Sequence, residues 1–229
     1  MSNPICAIVG VGPKNGAAFA ARFNDAGYRL ALLSRSTEYS EELAHSLNDA
    51  KSYVCDASDP ASVASAFSQL QAELGDVDVL IYNAGSGSWQ TVDEITPDEF
   101  ERGWRVTALG ALVASQQVIP AMKRRGSGNI IFVGATASLR GRPKTTGFAA
   151  AKAAQRSLAQ SMAKHLGPSG IHVSLLIIDG SIASTGSAEA GRGERLDPKD
   201  IADLAHYLTT QPQSAWSFEV DVRPSKETW

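Results

Sequence analysis

The chain has 229 residues, of which 43% are hydrophobic and 20% charged, with a formal net charge of −3. That length is enough to bury a substantial core in one α/β domain, and one domain spanning residues 1–229 is expected. The charge supplies no broad positive field for phosphate backbones or anionic lipid, so neither nucleic acid nor membrane is expected as a partner.

The predicted elements alternate along the whole chain. Cys6 to Val11 is a continuous apolar run, the mark of a strand covered on both faces, and a Gly-rich turn leads from it into a helix over Gly16–Asp25. A strand at Tyr28–Leu33, a helix near Glu41–Asn48, a short strand at Ser52–Cys55 and a helix at Pro60–Leu74 follow. Strands at Val77–Tyr82, Asn129–Val133 and Ile171–Ile178 are separated by long helical stretches at Pro97–Arg125 and Thr146–Leu166. A helix at Pro198–Thr210 and a strand at Ser217–Val222 end the series. Right-handed crossovers place each helix over the sheet, so this order predicts a doubly wound, mostly parallel sheet of about seven strands with helices on both faces.

Ser181–Gly193 breaks the alternation. It is rich in Gly, Ala and Ser, lacks bulky apolar anchors, and is expected to be a mobile loop over a site. No basic leader precedes the first apolar segment and nowhere do about 18 apolar residues run together, which points to a soluble cytoplasmic protein. Cys6 and Cys55 form neither a CxxC pair nor a metal-spaced cluster with His45, His165, His172 or His206. Buried thiols and no metal are expected.

The turn after the first strand reads Gly10-Val11-Gly12-Pro13-Lys14-Asn15-Gly16. A pyrophosphate needs close backbone approach and free N–H groups at a helix N-terminus, where the helix dipole also favours negative charge. Gly12 and Gly16 are one residue too far apart for the GxGxxG spacing. The turn resembles instead the Gly-x-x-x-Gly-x-Gly of the short-chain dehydrogenase/reductase family, with Gly10 and Gly16 matching and Lys14 in place of the middle glycine. Lys14 is retained as a possible phosphate contact. Further stretches resemble the same Rossmann-type family in order. Cys55-Asp56-Ala57-Ser58 is similar to its acidic turn after the third strand, which implies an adenine contact for Asp56 and Ala57. Tyr82-Asn83-Ala84-Gly85 is similar to its Asn-Asn-Ala-Gly motif, which implies that Asn83, Ala84 and Gly85 pass beside the adenine ribose.

The end of the second strand, where an acid would select NAD(H), reads Leu33-Ser34-Arg35-Ser36. A guanidinium and hydroxyls suit a 2′-phosphate, so NADP(H) is expected over NAD(H), with Arg35 as the selecting residue.

In the family a Tyr donates a proton to the substrate oxygen, a Lys four residues later holds the ribose, a Ser binds the substrate and an Asn supports a proton relay. Gly147-Phe148-Ala149-Ala150-Ala151-Lys152 resembles the Tyr-x-x-x-Lys segment and puts Lys152 at the Lys and Phe148 at the Tyr. Phe132-Val133-Gly134-Ala135-Thr136 puts Ala135 at the Ser, and Trp104-Arg105-Val106-Thr107 puts Thr107 at the Asn. A phenyl ring transfers no proton, and loss of a positioned general acid typically costs ~10²–10⁴ in rate. Ile178-Asp179-Gly180-Ser181-Ile182 falls where the family has Pro-Gly beside the nicotinamide carboxamide. The resemblance implies cofactor contacts for Gly180 and Ile182, and Asp179 is a candidate replacement acid or a turn carboxylate. Ser138, Thr136 and Tyr82 are weaker candidates.

Small or apolar residues occupy more than one stripe of the Phe148–Leu166 helix, and Trp216, Phe218 and Trp229 make the tail aromatic. Both features suit a homodimer or homotetramer of the kind the family forms. Two functions fit: an NADP(H)-dependent oxidoreductase of a small carbonyl-type substrate with an altered proton route, or a catalytically silent nucleotide-binding subunit or sensor.

Overall fold

A computed structural model describes residues 3–228. One seven-stranded parallel sheet has the order β3-β2-β1-β4-β5-β6-β7. Its strands are β1 Ile5–Val9, β2 Arg29–Ser34, β3 Ala50–Val54, β4 Val79–Tyr82, β5 Gly128–Ala135, β6 Ile171–Ile178 and β7 Glu219–Val222. The helices are α1 Asn15–Asp25, α2 Glu38–His45, α3 Pro60–Glu73, α4 Pro97–Trp104, α5 Gly110–Arg125, α6 Thr146–Leu166, α7 Ala188–Gly191 and α8 Pro198–Thr209. The strand order reverses between β1 and β4, and the carboxyl ends of these two strands open the crevice in which doubly wound sheets bind ligands.

Both faces of the sheet are covered, which is why its inner strands read as unbroken apolar runs. All eight residues of β6 are buried, and alternate ones serve different cores: Leu175 belongs to the core that holds Phe67, Tyr82 and Phe132, whereas Leu176 belongs to the one with Phe19, Phe23 and Ile201. α3, α5 and α6 close the first core, α1 and α8 the second.

Several element bounds shift by one or two residues, and three larger departures from the sequence expectation have physical reasons. The helix expected at Glu41–Asn48 begins at Glu38, where Glu38 and Glu41 give the first turn its favourable negative charge. The helical stretch Pro97–Arg125 is interrupted by a π-helical segment, Arg105–Leu109, which widens the turn before Gly110. A side chain at Gly110 would overlap the Ala57 carbonyl and the Tyr82 hydroxyl, so this crossing depends on glycine. The Ser181–Gly193 loop is anchored rather than loose. Ile182 pairs with Leu196, the Ala183 amide donates to the Leu196 carbonyl at 2.9 Å, and α7 forms within the segment. Backbone pairing supplies the anchor that the side chains lack.

Cys6 and Cys55 are buried thiols. Among the described residues no helix is long and apolar enough to cross a membrane. The tail aromatics Trp216 and Phe218 pack within the chain: Trp216 stacks on His172 at 4.7 Å and Phe218 lies against the sheet core. Trp229 lies outside the described residues.

Candidate functional site

Two cavities meet at Asn83 and Gly85, above the β1/β4 switch point. The first, about 940 Å³, runs along the Gly10–Pro13 turn and is bordered by Ser34, Arg35, Ser36, Asp56, Ala57, Ala84 and Arg102. The second, about 490 Å³, is bordered by Asn15, Ala135, Phe148, Lys152, Asp179, Gly180 and Ile182. Sequence-derived site residues from seven separate segments thus border these cavities, although Lys14, Gly16 and Thr107 border neither.

The turn is fixed by steric exclusion. Gly10 has φ +91°, and a Cβ there would stand 2.5 Å from the Ala84 amide nitrogen. The Asn83 side chain donates to the Gly10 carbonyl at 2.7 Å and locks the turn onto the end of β4. A Cβ at Gly16 would meet the Val11 Cα at 2.7 Å, whereas one at Gly12 would meet nothing within 4 Å. Gly12 therefore marks the open side of the turn. Asn15 opens α1 and is buried, and its Oδ1 has no hydrogen-bond partner among the described residues. A buried orphan acceptor on the wall of a cavity fits a ligand carrying donors.

Lys14 behaves differently from its expected role. Its ammonium donates to the Ile182 carbonyl at 2.7 Å, tying the turn to the start of the Ser181–Gly193 loop across 168 positions of sequence. At the end of β2, the Ser34 hydroxyl is occupied by Ser40 and the Ser36 carbonyl, both at 2.8 Å, and Ser40 in turn meets Ser52 at 2.6 Å. The hydroxyl expected to meet a phosphate is thus spent on internal bonds. Arg35 remains at the cavity, joined by Arg102 from α4, which nothing in the local sequence of that helix marked. Asp56 accepts from the Ser58 amide and hydroxyl at 2.8 and 2.7 Å, and these bonds lower its pKa. Tyr82, a weaker candidate by sequence, donates to the Val106 carbonyl and is fully buried, so it braces the interior of the fold.

Lys152 is buried at the inner end of the second cavity. Its ammonium donates to the Val133 carbonyl at 2.6 Å and to Gln155 Oε1 at 3.1 Å, and Gln155 passes the connection on to the Thr107 carbonyl at 3.2 Å. Both acceptors are neutral, and burial pushes its pKa down to about 8. An ammonium has three donors, so one is left for a group in the cavity. The Phe148 ring centroid is 6.0 Å from this nitrogen, and Trp89 packs on Phe148 with centroids 5.6 Å apart. Thr107 sits in the π segment and takes the Ser86 amide at 3.4 Å.

Asp179, at the end of β6, is held on several sides. Thr136 donates to it at 2.7 Å, the Arg223 guanidinium lies 3.3 Å away and that of Arg140 3.9 Å. These contacts tie the ends of β5 and β6 to the segment after β7. Ser138 is buried and lines neither cavity.

A parallel sheet with a glycine turn at its switch point, two joined cavities and a buried lysine defines a dinucleotide-binding α/β protein. The comparisons narrow the class. The family model described as short chain dehydrogenase matches residues 5–194. An uncharacterized oxidoreductase of Staphylococcus saprophyticus is 27% identical over 232 residues, covering 98% of each chain. Among solved structures, a metagenomic short-chain oxidoreductase in complex with NADP superposes with a TM-score of 0.86 at 26% identity, covering 98% of each chain. An alcohol dehydrogenase of the archaeon Thermococcus sibiricus, complexed with 5-hydroxy-NADP, superposes with a TM-score of 0.88 at 25% identity and the same coverage. This chain belongs to the short chain dehydrogenase family, and with it to the oxidoreductases that use a nicotinamide dinucleotide.

Proposed function

We propose that the protein is an NADP(H)-dependent oxidoreductase of a small carbonyl-type substrate, in which Lys152 and solvent, rather than a tyrosine, manage the proton. The carrying observation is the Lys152 ammonium: buried, bound to neutral acceptors only, with one donor left for the cavity.

The Gly10–Gly16 turn and the first turn of α1 would hold the pyrophosphate, Asp56 and Ala57 the adenine, and Asn83, Ala84 and Gly85 the adjoining ribose. Arg35, with Arg102 beside it, would take the 2′-phosphate; two solved relatives at comparable identity carry NADP-type ligands, which supports this choice. Asn15, Gly180 and Ile182, which border the second cavity, would face the nicotinamide end. Lys14 ties the glycine turn to Ile182 through its ammonium. When bound, the cofactor exchanges a hydride with the substrate.

What the chain supplies is binding, orientation and a proton. By resemblance to the family's motifs, Ala135 and Phe148 would stand where the Ser and Tyr hydroxyls belong, and neither side chain bears an exchangeable proton. Lys152 does, and a pKa of about 8 lets it give up that proton far more readily than an ordinary lysine. Asp179 was the other candidate. Its engagement by Thr136 and Arg223 favours an anchoring role, so Asp179→Asn should leave turnover nearly unchanged while costing about 3 kcal/mol of stability. A large fall in turnover without a fall in melting temperature would return Asp179 to the catalytic set.

The outer side of α6, with Ala153 exposed and Ala150 and Ala154 half-buried, is the surface for self-association into a dimer or tetramer, which light scattering at micromolar concentration tests. The functional test is binding of NADPH and NADH by calorimetry, followed by NADPH consumption with carbonyl and enone panels. Turnover supports the oxidoreductase. Tight binding with no turnover on any panel member favours a silent nucleotide-binding subunit.

A further inference from the structure

The mouth of the second cavity carries positive charge that neither the cofactor contacts nor the proton route uses. The segment Leu139-Arg140-Gly141-Arg142-Pro143-Lys144 places three cations within five residues and no acid. Arg140 and Arg142 both border the cavity. Arg140 is 3.9 Å from Asp179, but that carboxylate already accepts from Thr136 at 2.7 Å and faces Arg223 at 3.3 Å. The Arg142 guanidinium has no ion pair or hydrogen bond among the described residues; only its backbone is engaged, by Thr145.

The remaining walls complete the picture. Lys152 adds a third cation, while the bordering acids are Glu227 and Asp179, the latter facing Arg223, which also pairs with Asp221. The same cavity is bordered by Trp89 and Phe148, a tilted aromatic pair at 41° whose Trp89 is 67% exposed. An exposed indole next to a cavity and an unused guanidinium at its rim ask for opposite things of one ligand: a flat apolar body and a negative charge.

Resting on the function proposed above, we infer that the substrate is a small organic carboxylate, with its carboxyl group bound by Arg142 and Arg140 and its unsaturated or aromatic body against Trp89 and Phe148. A carboxylate matches the planar guanidinium fork, which can donate two parallel hydrogen bonds to it. With the nicotinamide end sharing a cavity of about 490 Å³, the room left suits a small molecule.

The test uses the full chain saturated with NADP⁺, which has no hydride to give, so that ligand binding is read without turnover. Pyruvate, phenylglyoxylate and cinnamate are titrated beside their methyl esters, which have nearly the same body and no charge. We expect the acids that bind to do so about tenfold tighter than their esters, with the gap shrinking as salt rises. In Arg142→Gln, and more fully in Arg140→Gln/Arg142→Gln, the acid should lose this advantage while NADP⁺ affinity is retained; Arg142→Lys should keep part of it. Equal affinity for acid and ester, a preference that survives in the double variant, or no binding by any acid at millimolar concentration overturns the inference and leaves the oxidoreductase reading standing. Failure of NADP⁺ to bind overturns both.

Discussion

The two cavities obey different rules. In the β1–α1 turn Gly10 is held by the Ala84 backbone and Gly16 by Val11, with Gly12 on the open side, and at the start of α5 Gly110 is held by the Ala57 carbonyl and the Tyr82 hydroxyl. Around Lys152 the decisive positions, Ala135 and Phe148, are half-buried and face open space. A change in the first region makes backbones collide. A change in the second alters only what chemistry the wall can offer. Binding geometry is therefore constrained by packing, whereas the side chains at positions 135 and 148 are less constrained by it.

The sharpest way to break this contrast is at Gly10. Gly10→Ala places a methyl against the Ala84 backbone in a left-handed conformation, and should destabilise the protein by about 2–5 kcal/mol and remove NADPH binding. A variant with native melting temperature and native affinity would show that the turn is not under steric control.

Lys152 gives the next effect. Burial disfavours its charged form, lowering its folded pKa from 10.5 to about 8. Below pH 8 both folded and unfolded chains hold the proton, and the folded state bears the full cost. Between pH 8 and 10.5 the unfolded chain still binds it and the folded chain does not, so this group adds stability as pH rises. Lys152→Met should accordingly lose this pH dependence, so that the native protein gains stability relative to the variant as pH rises through that window. It should also weaken NADPH binding. Thermal melts from pH 6 to 11 read the first effect, calorimetry the second.

A smaller effect tests cofactor choice. Arg35→Asp should shift preference from NADPH toward NADH by about tenfold or more, through repulsion of the 2′-phosphate and acceptance from the 2′-hydroxyl. An unchanged ratio would move the selecting role to Arg102.

The contrast between the cavities also explains what the sequence revealed. The strand Ile171–Ile178 was legible to the residue because burial on both faces leaves an unbroken apolar run. Gly10, Gly16 and Asn83 were legible because close approach leaves few residue choices. The π segment at Arg105–Leu109 was not, since one widened turn barely changes helical periodicity. Trp89, Arg102, Gln155 and Glu227 were missed because only the folded chain brings them to the site. Gln155 had a faint signal: it lies three residues beyond Lys152, hence on the same face of α6. Arg140 and Arg142 had a plainer one, a cationic run without acids directly after the Ala135 strand end. The Lys14–Ile182 bond, joining segments far apart, had none.

The most direct measurement compares the native protein with the Ala135→Ser/Phe148→Tyr variant, first by calorimetric titration with NADPH and then by NADPH consumption on the same carbonyl panel. Equal affinity in the two proteins, with turnover rising by ~10²–10⁴ in the variant, is the predicted result. Loss of NADPH binding in the native protein, or identical rates in both, would contradict a cleft whose binding half is intact and whose proton-donating half has been replaced.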